Sequence, residues 1–148
     1  MNLLFISKSN QTSEWENYLK KEIPNLNFLV WPKDIKSPDE IEYALVWNPP
    51  AHALSKFRNL KAILSLGAGV DSLLVEKKLP QNTPIIRLVD HCLTKGMTEY
   101  IVYWTLFHHR KMAHYLEASK IKQWKQYTQR DARLTNVGIL GAGKLGTD

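Results

Sequence analysis

Four times in its first 88 residues this chain passes from a short apolar run, through a polar or helix-patterned stretch, into another apolar run. That alternation constrains its fold more than any other feature. The runs are Leu3–Ser7, Asn27–Trp31, Tyr43–Trp47, Ala62–Leu66 and Ile85–Leu88. Each has the length and the apolar density of a buried strand. Between the first two, Ser13–Glu22 carries Trp15, Tyr18 and Leu19 at helical spacing, and Ser13 stands three residues before Glu16 in a capping-box pattern. Pro24-Asn25 ends that helix, and Pro32–Asp39 reads as a surface loop. Asn48-Pro49-Pro50 stops the third run, and a short helix is predicted over Ala51–Phe57. The fourth run enters Gly67-Ala68-Gly69, after which a helix is predicted from Val70 to about Lys77.

Short apolar strands separated by helices and brief loops predict an α/β fold: a parallel sheet with helices on both faces. Five such units ending near Val89 make a flavodoxin-like domain. A long helix is predicted next, from about Lys95 to about Ser119. Its first half is apolar on every side, which predicts burial between elements rather than a surface position. A polar segment, Lys120–Arg133, leads to a predicted strand at Leu134–Leu140 that runs into Gly141-Ala142-Gly143-Lys144-Leu145-Gly146. The expected division is therefore 1–94 for the first domain, 95–133 for helix and linker, and 134–148 for the start of a second α/β domain.

Composition narrows the classes further. A chain of 148 residues has room for one domain, or for one domain and a piece of a second. With 44% hydrophobic and 10% aromatic residues, a packed core is expected and wholesale disorder is not. Cys92 is the single cysteine, so no intrachain disulfide forms, and a reducing, cytoplasmic setting is expected. The opening MNLLFISKSN lacks a basic n-region and a cleavage site, so it reads as a first strand and not as a signal peptide. Tyr100–Phe107 is apolar but closed by Glu99 and by His108–Lys111, well short of the roughly 20 residues that a spanning helix needs. No membrane partner is expected. Residues 108–133 hold seven Lys/Arg against Glu117 and Asp131, which is +5 of the net +6. With Trp124 and Tyr127 interleaved, such a stretch could form a nucleic-acid face. The reading preferred is a solvated helix end and linker near an anionic ligand, with no nucleic acid.

Two glycine motifs carry chemistry. Gly141-x-Gly143-x-x-Gly146 after an apolar run has the dinucleotide fingerprint pattern. Its glycines permit the tight turn, the approach of a pyrophosphate to the backbone, and close helix–strand packing. Amide N–H groups, those of Lys144 and Leu145 among them, would face the phosphates. The helix and the ribose-binding residue that complete the fingerprint would fall after residue 148. Gly67-Ala68-Gly69-Val70-Asp71 lies where a strand turns into a helix, the place where open α/β sheets bind ligands. The residues alone leave it open whether this turn holds a carboxylate on its amides or is purely structural. The histidines show no metal-ligand spacing, and no metal site is expected. Asp90-His91 is adjacency in sequence, which does not place a carboxylate behind an imidazole.

The blocks YALVWNPP (43–50), LKAILSLGAGVDSLL (60–74), MTEYIV (97–102) and VGILGAGKLG (137–146) complete the pattern. In that order and at that spacing they resemble the D-2-hydroxyacid dehydrogenases, in particular their glyoxylate/hydroxypyruvate reductase branch, over essentially the whole chain. The resemblance implies an N-terminal substrate-binding domain joined by a long helix to a Rossmann domain, and reduction of glyoxylate and hydroxypyruvate. It implies NADPH or NADH as cofactor in the full-length family, a homodimer, and a small 2-oxoacid as substrate. It places the substrate carboxylate on the amides of Ala68 and Gly69, Trp47 along the 2-oxoacid pocket, and Met97 beside the nicotinamide. Gly141, Gly143, Lys144, Leu145 and Gly146 fall in the cofactor turn. The family's catalytic Arg, His and orienting acid would belong to the second domain, past residue 148, so no residue here takes a catalytic role. A truncated chain, inactive, not binding the cofactor and prone to self-association, is the expectation. The alternative is a non-catalytic flavodoxin-like module whose basic helix docks an acidic partner.

Overall fold

The computed structural model describes residues 1–8, 11–80 and 82–148, which form two compact units, Met1–Val89 and Asp90–Asp148. In the first unit the sheet is built from β1 (Asn2–Ser7), β2 (Asn27–Val30), β3 (Tyr43–Trp47), β4 (Ala62–Ser65) and β5 (Ile85–Ile86). Its order is β2-β1-β3-β4-β5, and every pairing is parallel. This is the flavodoxin-like strand order, in which the connections change direction between β1 and β3. The register pairs Ser7 with Trp47, so the carboxyl ends of those two strands lie side by side at the switch point.

Both faces of the sheet are covered, which is why its strands read as continuous apolar runs. Leu3, Phe5 and Phe28 point to one face, where Trp15, Leu19 and Ile23 of α1 (Thr12–Glu22) and its end pack on them. Phe5 and Phe28 pack in a tilted pair with ring centroids 5.4 Å apart. Leu4, Ile6, Val46 and Ile63 point to the other face, beneath Leu54, Phe57 and Leu73.

Local expectations are corrected at several places. Gln11 is the N-cap of α1 and no side chain caps it, so the Ser13/Glu16 capping box does not form. Residues 51–57 are turns rather than a helix: Ala53, Ser55 and Phe57 donate to Pro50, His52 and Leu54. His52 has a left-handed backbone (φ 62), which interrupts any helical ladder there. The helix after Gly69 is only α2 (Asp71–Leu74), and β5 is two residues long rather than four.

The second unit begins with α3 (His91–His109), capped by the Asp90 carboxylate, which accepts from the N–H groups of Cys92 and Leu93. The single long helix expected is in fact two, because Lys111 is left-handed (φ 56) and α4 (Met112–Lys120) starts after it. No residue of α3 is buried, contrary to the expectation of a covered helix. The strand expected at Leu134–Leu140 is absent. A short 3₁₀ turn occupies Ala132–Leu134, and Val137, Ile139 and Leu140 are exposed. Among the described residues no strand lies in this unit to pair with it, and an unpaired segment has no ladder to join. Among the described residues, no helix is long and apolar enough to cross a membrane.

Candidate functional site

In the first unit the candidate residues meet at the carboxyl ends of β3 and β4. Trp47, 42% exposed, closes β3, and the six-membered ring of its indole stands where a Cβ on Gly67 would be. Any side chain at position 67 would collide with that ring. Gly67 is fixed by two hydrogen bonds: its N–H donates to Ser65 Oγ (3.2 Å), and its carbonyl accepts from the N–H of Leu88 (3.1 Å). Its amide is therefore spent.

The next two amides are not. Among the described residues, the N–H groups of Ala68 and Gly69 have no hydrogen-bond partner. Ala68 is half-buried and Gly69 is exposed, so the pair faces accessible space. Two adjacent unpaired N–H groups at a strand-to-helix turn are donors from which an anion can accept. The chemistry they offer is recognition of a carboxylate or another small oxyanion without a lysine or arginine in the turn itself.

Sequence reasoning missed Arg87. It stands just after β5, and its guanidinium reaches the Ala68 carbonyl at 3.5 Å, bringing a cation to the edge of the turn. Its position at the carboxyl end of a strand was the available signal. The pair Asp90-His91 is not an acid–base unit: the carboxylate serves the helix cap. Among the described residues, no group of three His, Cys, Asp or Glu is placed to hold a metal ion.

In the second unit the glycine fingerprint forms a turn in which each glycine has a separate reason. Gly141 has φ 97, a conformation other residues rarely adopt. Nothing lies within 4 Å of where a Cβ on Gly143 would stand, so its backbone is open to approach. A Cβ on Gly146 would run into the Gly141 carbonyl. Among the described residues, the N–H groups of residues 143–146, Lys144 and Leu145 included, make no hydrogen bond, while Thr147 N–H closes the turn on the Gly143 carbonyl (3.1 Å). These features fit a pyrophosphate-binding turn.

The turn is tied to the start of α3. Asp148 accepts from Lys95 Nζ (2.7 Å) and Thr98 Oγ1 (2.6 Å), and those bonds hold its carboxyl below the usual range. Met97 falls between these two anchors in sequence, with 37% of its surface exposed. In the basic stretch, Lys120 pairs with Glu117 and Arg133 with Asp131, whose carboxyl the guanidinium holds below its usual range. Trp124 stands 96% exposed.

No family model matches the chain. It is 33% identical over 151 residues to glyoxylate/hydroxypyruvate reductase A of Yersinia enterocolitica, covering 99% of the chain and 48% of that protein. In three dimensions it is similar to a D-isomer specific 2-hydroxyacid dehydrogenase of Xanthobacter autotrophicus, solved with NADPH and MES. The TM-score there is 0.84 at 32% identity, covering 98% of the chain and 48% of the other. An NADPH-dependent glyoxylate/hydroxypyruvate reductase of Sinorhizobium meliloti, solved with NADP and sulfate, gives a TM-score of 0.82 at 31% identity, with 99% and 47% covered. The chain spans about half the length of the curated relatives it matches.

Proposed function

We propose that the chain, which is similar to D-2-hydroxyacid dehydrogenases over about half of their length, belongs to that family and supplies the substrate-binding part and the first phosphate turn of an NAD(P)H-dependent 2-oxoacid reductase. Glyoxylate and hydroxypyruvate are the proposed substrates, as the names of its relatives indicate. The observation that carries this reading is the pair of unpartnered amides at Ala68 and Gly69 beside the Trp47 indole.

Each residue then has a physical task. The Ala68 and Gly69 N–H groups hold the carboxylate of the 2-oxoacid, and Trp47 forms an apolar wall that limits the size of the group carried by the keto carbon. The free amides at Gly143–Gly146 take the cofactor pyrophosphate, with Gly141 and Gly146 shaping the turn and Met97 packing near the nicotinamide. The nicotinamide, when bound, supplies the hydride. The developing alkoxide requires a cationic donor and a proton source, and no residue among these 148 is assigned those roles. We take residues 1–94 as the substrate domain, 95–133 as helix and linker and 134–148 as the start of the cofactor domain. A second copy of the chain is the proposed partner of α3. The cytoplasm is the proposed compartment, which the single Cys92 supports.

The test uses oxalate, a two-carbon dianion shaped like the substrate. On polypeptide 1–148 it is expected to slow amide exchange around residues 66–74 with millimolar affinity. Glyoxylate added with NADPH should give no oxidation above the buffer blank. Oxalate that leaves the 66–74 window untouched at every concentration rejects the assignment of Ala68 and Gly69.

A further inference from the structure

Glu76 lies outside every motif discussed so far, yet its carboxylate joins two segments that are far apart in sequence. One oxygen accepts from the backbone N–H of His52 (2.8 Å). The other accepts from the backbone N–H of Lys78 (2.9 Å) and meets His52 Nδ1 at 3.0 Å. The side chain is only 15% exposed, and His52 is 55% exposed. The two amides hold the Glu76 carboxyl below the usual carboxylate range, so it is the ionised form that the site selects.

The segments so joined are the two that carry the candidate substrate residues. His52 belongs to the loop leaving β3, five residues after Trp47, and Glu76 lies just past α2, which leaves the Gly67–Gly69 turn. Between them runs a cavity of ≈ 490 Å³, lined by Pro50, Leu54, Leu73 and Leu79 as well as by His52 and Glu76. Leu54 and Leu73 share a core cluster, so apolar burial already brings the segments near each other. Apolar contact has no direction, however, and does not by itself fix register. The two bonds that join His52 to one carboxylate do, while the third, from Lys78 N–H, orients that carboxylate within its own segment. The loop also needs fixing: Asn48 (φ 45) and His52 (φ 62) both sit in the left-handed region, which non-glycine residues hold only when their surroundings impose it.

We infer that Glu76 is a positioning residue for the substrate pocket, clasping the loop after β3 to the segment after the Gly67–Gly69 turn so that Trp47 and the free amides keep one spacing. The pocket itself is that of the preceding proposal, and the inference rests on that reading.

Hydrogen–deuterium exchange on polypeptide 1–148 tests it over the windows 48–57 and 66–74, in the wild type, Glu76→Ala, Glu76→Gln and Leu26→Ala. Leu26 is a core residue of the opposite sheet face, so its variant reports general destabilisation. Loss of three bonds to a charged acceptor should speed exchange in both windows by about tenfold or more in Glu76→Ala. Glu76→Gln, which keeps one amide oxygen as acceptor, should fall between it and the wild type. Leu26→Ala should leave the ratio of the two windows to the rest of the chain unchanged. Oxalate should then protect 66–74 in Glu76→Ala only at about tenfold higher concentration. Acceleration confined to 48–57, or an oxalate midpoint equal to that of the wild type, overturns the inference. If oxalate fails to protect even the wild type, the functional reading falls. The clasp is then judged by exchange alone, and coupled loosening of both windows upholds it.

Discussion

Gly67 illustrates how much a single position decides. Its φ is not positive, so glycine is required there by space and not by backbone conformation. The Trp47 indole occupies the volume where any Cβ would stand. Gly67→Ala therefore has two outcomes open to it, a shifted turn or a displaced indole, and both damage the pocket. The substitution is expected to destabilise the first unit by about 1–3 kcal/mol, the usual cost of overpacking. Urea unfolding followed by far-UV circular dichroism gives that number, and oxalate protection of 66–74 should be lost under conditions where the variant is still folded. Wild-type stability together with wild-type oxalate binding would show that Trp47 is free to move aside without consequence.

At the scale of elements, the break between α3 and α4 is the clearest departure from periodicity. Lys111 closes α3, donating its N–H to the His108 carbonyl (3.0 Å), and opens α4 by accepting from His114 (3.0 Å). A left-handed residue in that place is a helix C-terminal signal normally met by glycine. A lysine there bears a cost of about 1–2 kcal/mol, while glycine would lose about 0.4–1 kcal/mol more chain entropy on folding. Lys111→Gly is thus expected to stabilise the second unit by about 0.5–1 kcal/mol, read from the thermal unfolding of its helical signal. Destabilisation would mean that the two helices form one continuous rod. The same reasoning explains why LTNVGIL, so apolar on paper, is not a strand: a strand exists only through its neighbours, and among the described residues none is adjacent.

For the whole molecule, the governing feature is the bare surface of α3. Tyr100, Ile101, Val102, Tyr103, Trp104 and Leu106 are each between 38% and 58% exposed. Trp104 forms ring contacts with Tyr100, Tyr103, Phe107 and His108, so the helix presents an organised aromatic surface rather than scattered side chains. Contiguous apolar patches of this kind mark association surfaces. Polypeptide 1–148 is expected to self-associate, with light-scattering mass rising over the micromolar range. Trp104→Glu, which puts a charge at the centre of the patch, should shift that rise to at least about tenfold higher concentration. A monomer persisting at tens of micromolar in the wild type would reject this.

The alternation of apolar runs was enough to establish the α/β class, the parallel sheet and all five strands, because burial on both faces writes itself directly into composition. The glycines at 141 and 146 were equally readable, since each answers a steric demand within its own turn, whereas Gly67 answers to the Trp47 indole of a neighbouring strand. What lay beyond the sequence was everything that depends on partners distant along the chain. Which amides at 67–69 are spent and which are free follows from Ser65 and Leu88. Arg87 reaches the turn, and Glu76 reaches His52, only because a parallel sheet brings the segments that follow β3, β4 and β5 together across its carboxyl ends. Residues 51–57 and 134–140 carry apolar content that suits a helix and a strand. They form neither, since a left-handed residue in one and, among the described residues, the absence of a pairing strand beside the other outweigh local propensity.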